Sequence, residues 1–316
     1  MDVVPVFCFD PRFYTAHVKT YEIRKASAIR TKFHIDSVTE LRTSLESLNS
    51  HLLISDEKPE DFIAKLMRQR QQLHHTIVYQ REICEQETRV EQAVHKSARE
   101  VSSTDFVPIW GSTLHHLDDV PFTPGETMPF AYGYYRKVNA AVKVRPVVPA
   151  AEKGELPAIA ELTSFEQESS KFTPELGATF GFTEEQIKAA VPDKRSCYPF
   201  RGGEKAGLAR LQEYLFTKKA VGHYNDTRNN LNGTNYSSKL SPWLANGTLS
   251  IRQVYHETRR FEKENSGNES TKVFIDELFW RDFNRYWFMH NAGKAFSSYG
   301  IYDRTYYAWK TEKDTV

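Results

Sequence analysis

The chain is poor in the residues that build unusual architectures. Its 316 residues hold three cysteines, Cys8, Cys84 and Cys197. They are odd in number and far apart, which argues against a disulfide framework and for an intracellular, reducing compartment. Fifteen glycines and fourteen prolines are too few for a collagen-like or low-complexity chain. No stretch approaches the run of about 18 uncharged apolar residues that a membrane span needs. Residues 1–30 contain no apolar core followed by a small-residue cleavage site, so no signal peptide is expected. The net charge is +1, so any basic patch must be local. Catalytic signatures are equally scarce. HExxH, CxxC, GxSxG, GxxxxGK[ST] and a strand-linked GxGxxG are all missing, which removes support for zinc hydrolysis, acyl transfer, P-loop phosphoryl transfer and dinucleotide-dependent hydride transfer. The adjacent pairs His74–His75 and His115–His116 cannot project to one side of a strand or helix, so no metal site is expected.

What is present is globular. Hydrophobic residues make up 40% and charged residues 26%, and the length suits two domains better than one. Residues 1–130 alternate short β-rich runs (3–9, 52–54, 76–79, 106–110) with helical stretches at 37–48, 59–68 and 82–99. Ser37 is a plausible N-cap for the first helix. This spacing predicts βαβ units and a Rossmann-like α/β domain with a parallel sheet. From about residue 111 prolines recur and periodicity fades, so 131–195 reads as a connector with short isolated elements. Residues 196–316 read as helical, with helices at 203–216, 249–265 and 273–291. Gly202–Gly203 opens the first of these rather than cradling phosphate.

Two features in the helical half can carry chemistry. Residues 201–260 hold ten Lys or Arg against four acids; this is either a phosphate-attracting patch or a solvated helix face. The helix at 273–291 is crowded with aromatics, followed by Tyr299, Tyr302, Tyr306, Tyr307 and Trp309. Most aromatics at helical spacing are core. Yet Glu277, Trp280 and Arg281 share a face, an acid, an indole and a guanidinium that could read a base by hydrogen bonding and stacking. The plainer alternative is an i,i+4 Glu277–Arg281 ion pair beside a half-buried tryptophan. The segment TNYSSKLSPWLANGTLSIR (234–252) is the most informative. Ser237, Ser238 and Ser241 precede a helix that Pro242 can start, and with Lys239 they suit a pyrophosphate.

The chain resembles the photolyase/cryptochrome family, and most of all its DASH branch. The resemblance is carried by PVFCFDPRFY (5–14), VYQREICEQETRVE (78–91), WGSTLHHLDD (110–119), YYRKV (134–138), FRGGEKAGLARLQEYL (200–215), YNDTRN (224–229), NYSSKLSPWLANGTLS (235–250) and FIDELFWRDFNRYW (274–287). It implies an α/β antenna domain, a long linker and a helical domain that binds FAD. By resemblance, Tyr224 and the loop Ser237, Ser238, Lys239, Leu240 and Ser241 hold the FAD phosphates and ribityl chain, and Phe274 and Arg281 line the flavin pocket. Arg228 matches a DNA-contacting position. Glu277 and Trp280 match the pair that hydrogen-bonds and stacks on a flipped pyrimidine dimer. Glu82 matches the acid that contacts the pterin of a methenyltetrahydrofolate antenna. The implied activity is that of a lyase: blue-light repair of cyclobutane pyrimidine dimers in single-stranded or damaged DNA, by a monomer.

The family's opening strand, of WFRxDLRxxDN type, and its closing W-x-x-G-x-T-G-[YF]-P segment are not in this sequence. The resemblance therefore implies a parallel sheet without its central first strand, a partial all-helical FAD-binding domain and weakened FAD binding. Two further functions follow from the same residues: a blue-light photoreceptor without repair, and a non-catalytic nucleic-acid-binding fragment.

Overall fold

Short β-branched and aromatic runs form the strands that the alternation predicts. β1 (Val6–Cys8) is followed by α1 (Pro11–Tyr14), a small antiparallel pair β2 (His17–Val18) and β3 (Ile23–Arg24), and the long α2 (Ala28–Ser47). β4 (Leu53–Ser55) then pairs in parallel with β1. α3 (Pro59–Arg68) leads to β5 (His75–Gln80), and α4 (Glu85–Val101) leads to β6 (Thr104–Ile109), which pairs in parallel with β5. This computed structural model describes residues 3–18, 23–156, 162–193, 195–231, 233–296 and 300–302. Of the aromatics singled out near the end, Tyr299, Tyr306, Tyr307 and Trp309 lie outside them. Among the described residues the two parallel pairs are not hydrogen-bonded to each other. Val78, Val107 and Ile109 of the β5–β6 pair are exposed.

The helix expected to begin at Ser37 begins at Ala28, with the Ser27 hydroxyl accepting from the Arg30 N–H. Ser37 lies buried in mid-helix. Its hydroxyl donates to the Phe33 carbonyl at 2.8 Å and accepts the Gly203 N–H at 2.9 Å. A serine can satisfy its hydroxyl locally in a cap or by bonding back one turn. The second choice wins here because Gly203 supplies a further bond from 166 residues away. α4 likewise begins at Glu85 rather than Glu82, with Cys84 at the N-cap.

The connector carries α5 (Tyr132–Asn139), α6 (Ser164–Lys171) and α7 (Glu184–Lys188). Capping boxes start the last two: Thr163 with Glu166, and Thr183 with Gln186. Phe180, Phe182 and Ala190 complete the α/β core with Phe9, Tyr14 and Ile54. The buried Glu166 carboxylate pairs with Arg70 at 2.7 Å.

The helical half comprises α8 (Glu204–Gln212), a π turn (Glu213–Thr217), a 3₁₀ turn (Ala220–His223), α9 (Tyr224–Thr227), α10 (Ser241–Asn246), α11 (Ile251–Asn265) and α12 (Glu269–Asn291). Its core includes Leu211, Tyr214, Tyr224, Leu240, Trp243, Val254, Phe261 and Phe274. Gly203 opens α8 with φ +104°, a conformation glycine adopts without strain. Gly202 packs so tightly on α2 that a Cβ there would collide with the Phe33 carbonyl. A third core, of Trp110, Val120, Tyr135, Phe283 and Tyr286, seats α12 against the connector. Among the described residues no helix is long and apolar enough to cross a membrane.

Candidate functional site

The loop before α10 is shaped from beneath by one side chain. Arg210 of α8 is fully buried. Its Nε donates to the Ser238 carbonyl at 2.9 Å, and its Nη2 to the carbonyls of Thr234 (2.8 Å) and Ser237 (3.3 Å). Its Nη1 reaches Glu213 at 2.9 Å and the Asn235 side-chain oxygen at 3.0 Å. The guanidinium also lies over the rings of Tyr198 and Tyr214. A planar fork of five donors suits this task better than an ammonium. The carbonyls are thus drawn inward. Among the described residues, no protein group accepts from the N–H groups or hydroxyls of Ser237 and Ser238, or from the N–H of Lys239. Lys239 itself has φ +59°, unusual for a residue with a side chain.

None of the three serines caps α10. Leu240 occupies the N-cap and buries its side chain in the helical core. The hydroxyls of Ser237, Ser238 and Ser241 are therefore not consumed by the helix. A ridge of backbone N–H groups, hydroxyls and an ammonium, with its acceptors turned away, is the donor set that a dinucleotide pyrophosphate needs. These residues fit the FAD phosphates that the resemblance assigns to them.

Tyr224 begins α9 and is buried edge-on against Phe274 of α12, with ring centroids 5.2 Å apart. Burial, with Glu277 nearby, pushes the Tyr224 phenol above its ordinary pKa. Thr227 ties α9 to the loop by donating to the Tyr236 carbonyl at 2.9 Å. One residue on, Arg228 forms an ion pair with Glu277. The i,i+4 pair between Glu277 and Arg281 does not form. Arg281 instead donates to the carbonyls of Ser112 and Leu244, the latter at 3.1 Å, and so joins α10, α12 and the segment before the connector. Trp280 is 39% exposed although most of its neighbours on α12 are core. The structure thus brings Tyr224 against Phe274 and Arg228 against Glu277, holds the Ser237–Ser241 loop beside them, and sets Trp280 one turn along α12 from Glu277 against Tyr132 and Phe283, while Arg281 spends its donors on the scaffold.

Glu82 lies apart from this cluster, in the turn between β5 and α4. Its Oε2 accepts from Arg285 of α12 at 2.9 Å, and its backbone N–H donates to Glu91 at 2.7 Å. Burial raises its pKa, with Glu87 and Glu91 adding to the effect against the pull of Arg285. Among the described residues Glu82 Oε1 has no protein donor, so this oxygen keeps its acceptor capacity. The Glu82 partner on α12 has no local signal in the sequence.

Asp282 is a site residue of another kind. It is fully buried and accepts the N–H groups of Leu114 (2.8 Å) and His115 (2.9 Å). Burial pushes its pKa up to about 7 in spite of these bonds and of Arg281 and Arg252 nearby. It clasps the turn after β6 to α12, beside Arg281.

With this geometry in place, comparison with known proteins is decisive. The sequence model of the DNA photolyase family matches residues 1–153. The chain is 34% identical over 316 residues to a cryptochrome DASH of Danio rerio, covering 98% of this chain and 56% of that protein. It is 35% identical over 325 residues to a cryptochrome DASH of Ostreococcus tauri, designated chloroplastic/mitochondrial, covering 99% of this chain and 59% of that protein. The chain belongs to the photolyase/cryptochrome family. A solved Synechocystis cryptochrome superposes with a TM-score of 0.85 at 32% identity, over 99% of this chain and 61% of that one. The shared fold therefore spans both halves of this photolyase/cryptochrome chain, and the chain spans somewhat over half the length of these relatives.

Proposed function

We propose that this chain provides the substrate-reading face and the phosphate loop of a DASH-type, flavin-dependent photolyase, a monomer that repairs cyclobutane pyrimidine dimers in single-stranded DNA under blue light. The observation that carries the reading is an exposed Trp280 one turn along α12 from Glu277, whose carboxylate pairs with Arg228 beside the Ser237–Ser241 loop. Family membership supports FAD as the cofactor and DNA as the partner. The three unpaired cysteines suit a reducing compartment.

When bound, reduced FAD supplies the photoexcited electron that splits the dimer and takes it back afterwards. The residues of this chain have separate tasks. Ser237, Ser238 and Ser241, with Lys239, hold the pyrophosphate, and Leu240 anchors their loop in the core. Phe274 and Tyr224 wall the pocket, and Arg281 fixes the relation of α10 to α12. Trp280 stacks on a base taken out of the helix, which costs least in single strands. Glu277 Oε2, left over from the Arg228 pair, hydrogen-bonds the base edge. Arg228 offers its charge to the adjacent phosphate. Glu82, through Oε1, holds the pterin of a methenyltetrahydrofolate antenna.

The test supplies the purified chain with reduced FAD and a single-stranded oligonucleotide carrying a thymine dimer, then follows dimer loss under blue light. Light-dependent loss that falls in Glu277→Gln and Trp280→Ala supports repair. Flavin that co-elutes with the chain, without repair, points to a photoreceptor. Binding to the strand that weakens steeply with salt, with no flavin retained, points to a nucleic-acid-binding fragment, a role the basic residues 201–260 would serve.

A further inference from the structure

Tyr132, on α5 in the connector, lies flat against Trp280. The ring centroids are 3.5 Å apart and the planes differ by 13°. Nearly eclipsed sandwiches are not the arrangement two aromatic rings prefer by themselves, so the surroundings must hold this one. They do so through Asp276. The Tyr132 hydroxyl donates to the Asp276 carbonyl at 3.1 Å, one turn before Trp280 on α12. One turn beyond Tyr132 on α5, Arg136 pairs with the Asp276 carboxylate at 3.0 Å. Phe283 meets both rings edge-on, at 5.6 Å from Tyr132 and 5.7 Å from Trp280. A ring equally distant from both members of a stack sits beside it, not on its outer face. Tyr132 thus covers the inner face of the indole, Phe283 covers an edge, and the outer face accounts for the 39% exposure of Trp280.

We infer that Tyr132 is the positioning residue for Trp280, backing one face of the indole so that the opposite face is presented, already immobile, to a nucleobase. The inference rests on the reading of Trp280 as the base-stacking residue and adds to it a residue from outside the helical half. A stacked base gains most when the platform loses no rotamer freedom on binding. A tryptophan exposed on a helix and supported on neither face would lose it. The connector helix therefore has a task beyond joining two domains: it carries the support for the recognition ring.

The experiment measures binding of the chain to a short single-stranded oligothymidylate containing one thymine dimer, by fluorescence polarisation. The variants are Tyr132→Phe, Tyr132→Leu, Tyr132→Ala, Trp280→Ala and the Tyr132→Ala/Trp280→Ala double variant, each checked for an unchanged urea midpoint. Tyr132→Phe keeps the ring, with the Arg136–Asp276 pair and Phe283 still holding it, and should bind within about two-fold of the parent. Tyr132→Leu fills the space without a flat face and should bind about five-fold or more weakly, as should Tyr132→Ala. Trp280→Ala should lose at least as much, and adding Tyr132→Ala to it should change nothing further. Parent-like binding by Tyr132→Leu, or losses that multiply in the double variant, would overturn the positioning role while leaving Trp280 as the base-stacking residue. Parent-like binding by Trp280→Ala would overturn the base-stacking reading itself, and the role of Tyr132 with it.

Discussion

Arg210 holds the shape of the Ser237–Ser241 loop from beneath. Its five bonds fix three loop carbonyls and two side chains from a fully buried position. Replacing it with glutamine leaves Glu213 and those carbonyls without their donors. Leaving part-buried loop carbonyls without their donors typically costs about 1–3 kcal/mol, and that is the loss expected for Arg210→Gln by urea unfolding, because Glu213 is 35% exposed and can be hydrated. Arg210→Lys should recover only part of it, because an ammonium cannot reach carbonyls on both sides of a planar fork. His34 sets a different residue-level prediction. Its Nδ1 lies 2.7 Å from the Tyr14 hydroxyl, and burial, helped by Arg30, pushes its pKa down to about 4. A histidine kept neutral in the folded chain binds its proton later, on acidification, than the unfolded chain does. Its stabilising contribution is therefore complete above the ordinary value of about 6.5 and declines as pH falls toward about 4. Urea midpoints at pH 7 and pH 5 should differ less in His34→Gln than in the parent, by about 1–2 kcal/mol of stability. The three serines and the Glu277–Trp280 spacing are legible in the sequence because they are local. The pairing of Glu277 with Arg228 instead of Arg281 is not, because the choice between two guanidiniums depends on where α9 docks.

At the level of elements, α12 is held by its acids as much as by its aromatics. Asp282 accepts two backbone N–H groups from the turn after β6. Arg281 donates to Ser112 in the same turn, and Arg285 reaches Glu82. Asp282 holds its proton to a higher pH than an unfolded aspartate, up to about 7. Its contribution to stability therefore falls as pH rises from about 4 to about 7, opposite in sign to that of His34. An asparagine at 282 keeps one acceptor but turns an NH2 toward the second N–H. Asp282→Asn should cost about 1–3 kcal/mol. Hydrogen exchange at Leu114 and His115 should accelerate while the β5–β6 ladder stays protected; unchanged exchange at those two amides would show that the clasp does not restrain the turn. Helical periodicity located α3, α11 and α12 to within a few residues, and alternation located all four parallel strands. It missed the start of α2, because residues 28–36 carry no clean apolar face and Ser37 mimics a cap. It also missed the role of α5, a short helix whose importance lies in where Tyr132 points.

At the scale of the whole molecule, the α/β half and the helical half are joined side chain to backbone, and the tightest joint is at Gly202. A Cβ on Gly202 would collide with the Phe33 carbonyl, lie 2.8 Å from the Ser37 hydroxyl and lie 2.9 Å from the Asp36 Cβ. All three belong to α2, whose backbone cannot swing aside. The next residue, Gly203, donates to Ser37 at 2.9 Å, and the Asn246 side chain reaches the same hydroxyl at 3.4 Å. One buried serine thus gathers α2, the start of α8 and the end of α10, the helix that follows the Ser237–Ser238–Lys239 loop. Gly202→Ala should force α8 off α2, at a cost of about 1–3 kcal/mol for overpacking, and break the Gly203–Ser37 bond. Because this contact couples the two halves, the effect should reach beyond a lower midpoint. The halves should unfold in two resolved steps where the parent unfolds in one, as read by calorimetry and by fluorescence of Trp243 in the helical core. Gly203→Ala is the control. It is strained by its φ of +104°, but its new Cβ would meet the flexible end of Glu40 and not a backbone, so it should lower the midpoint and leave unfolding a single step. A single, unshifted transition in Gly202→Ala would mean that the halves are coupled elsewhere, through Arg285 and Glu82 or through the Asp282 clasp. The corresponding variants at those positions would then be the ones to split the transition.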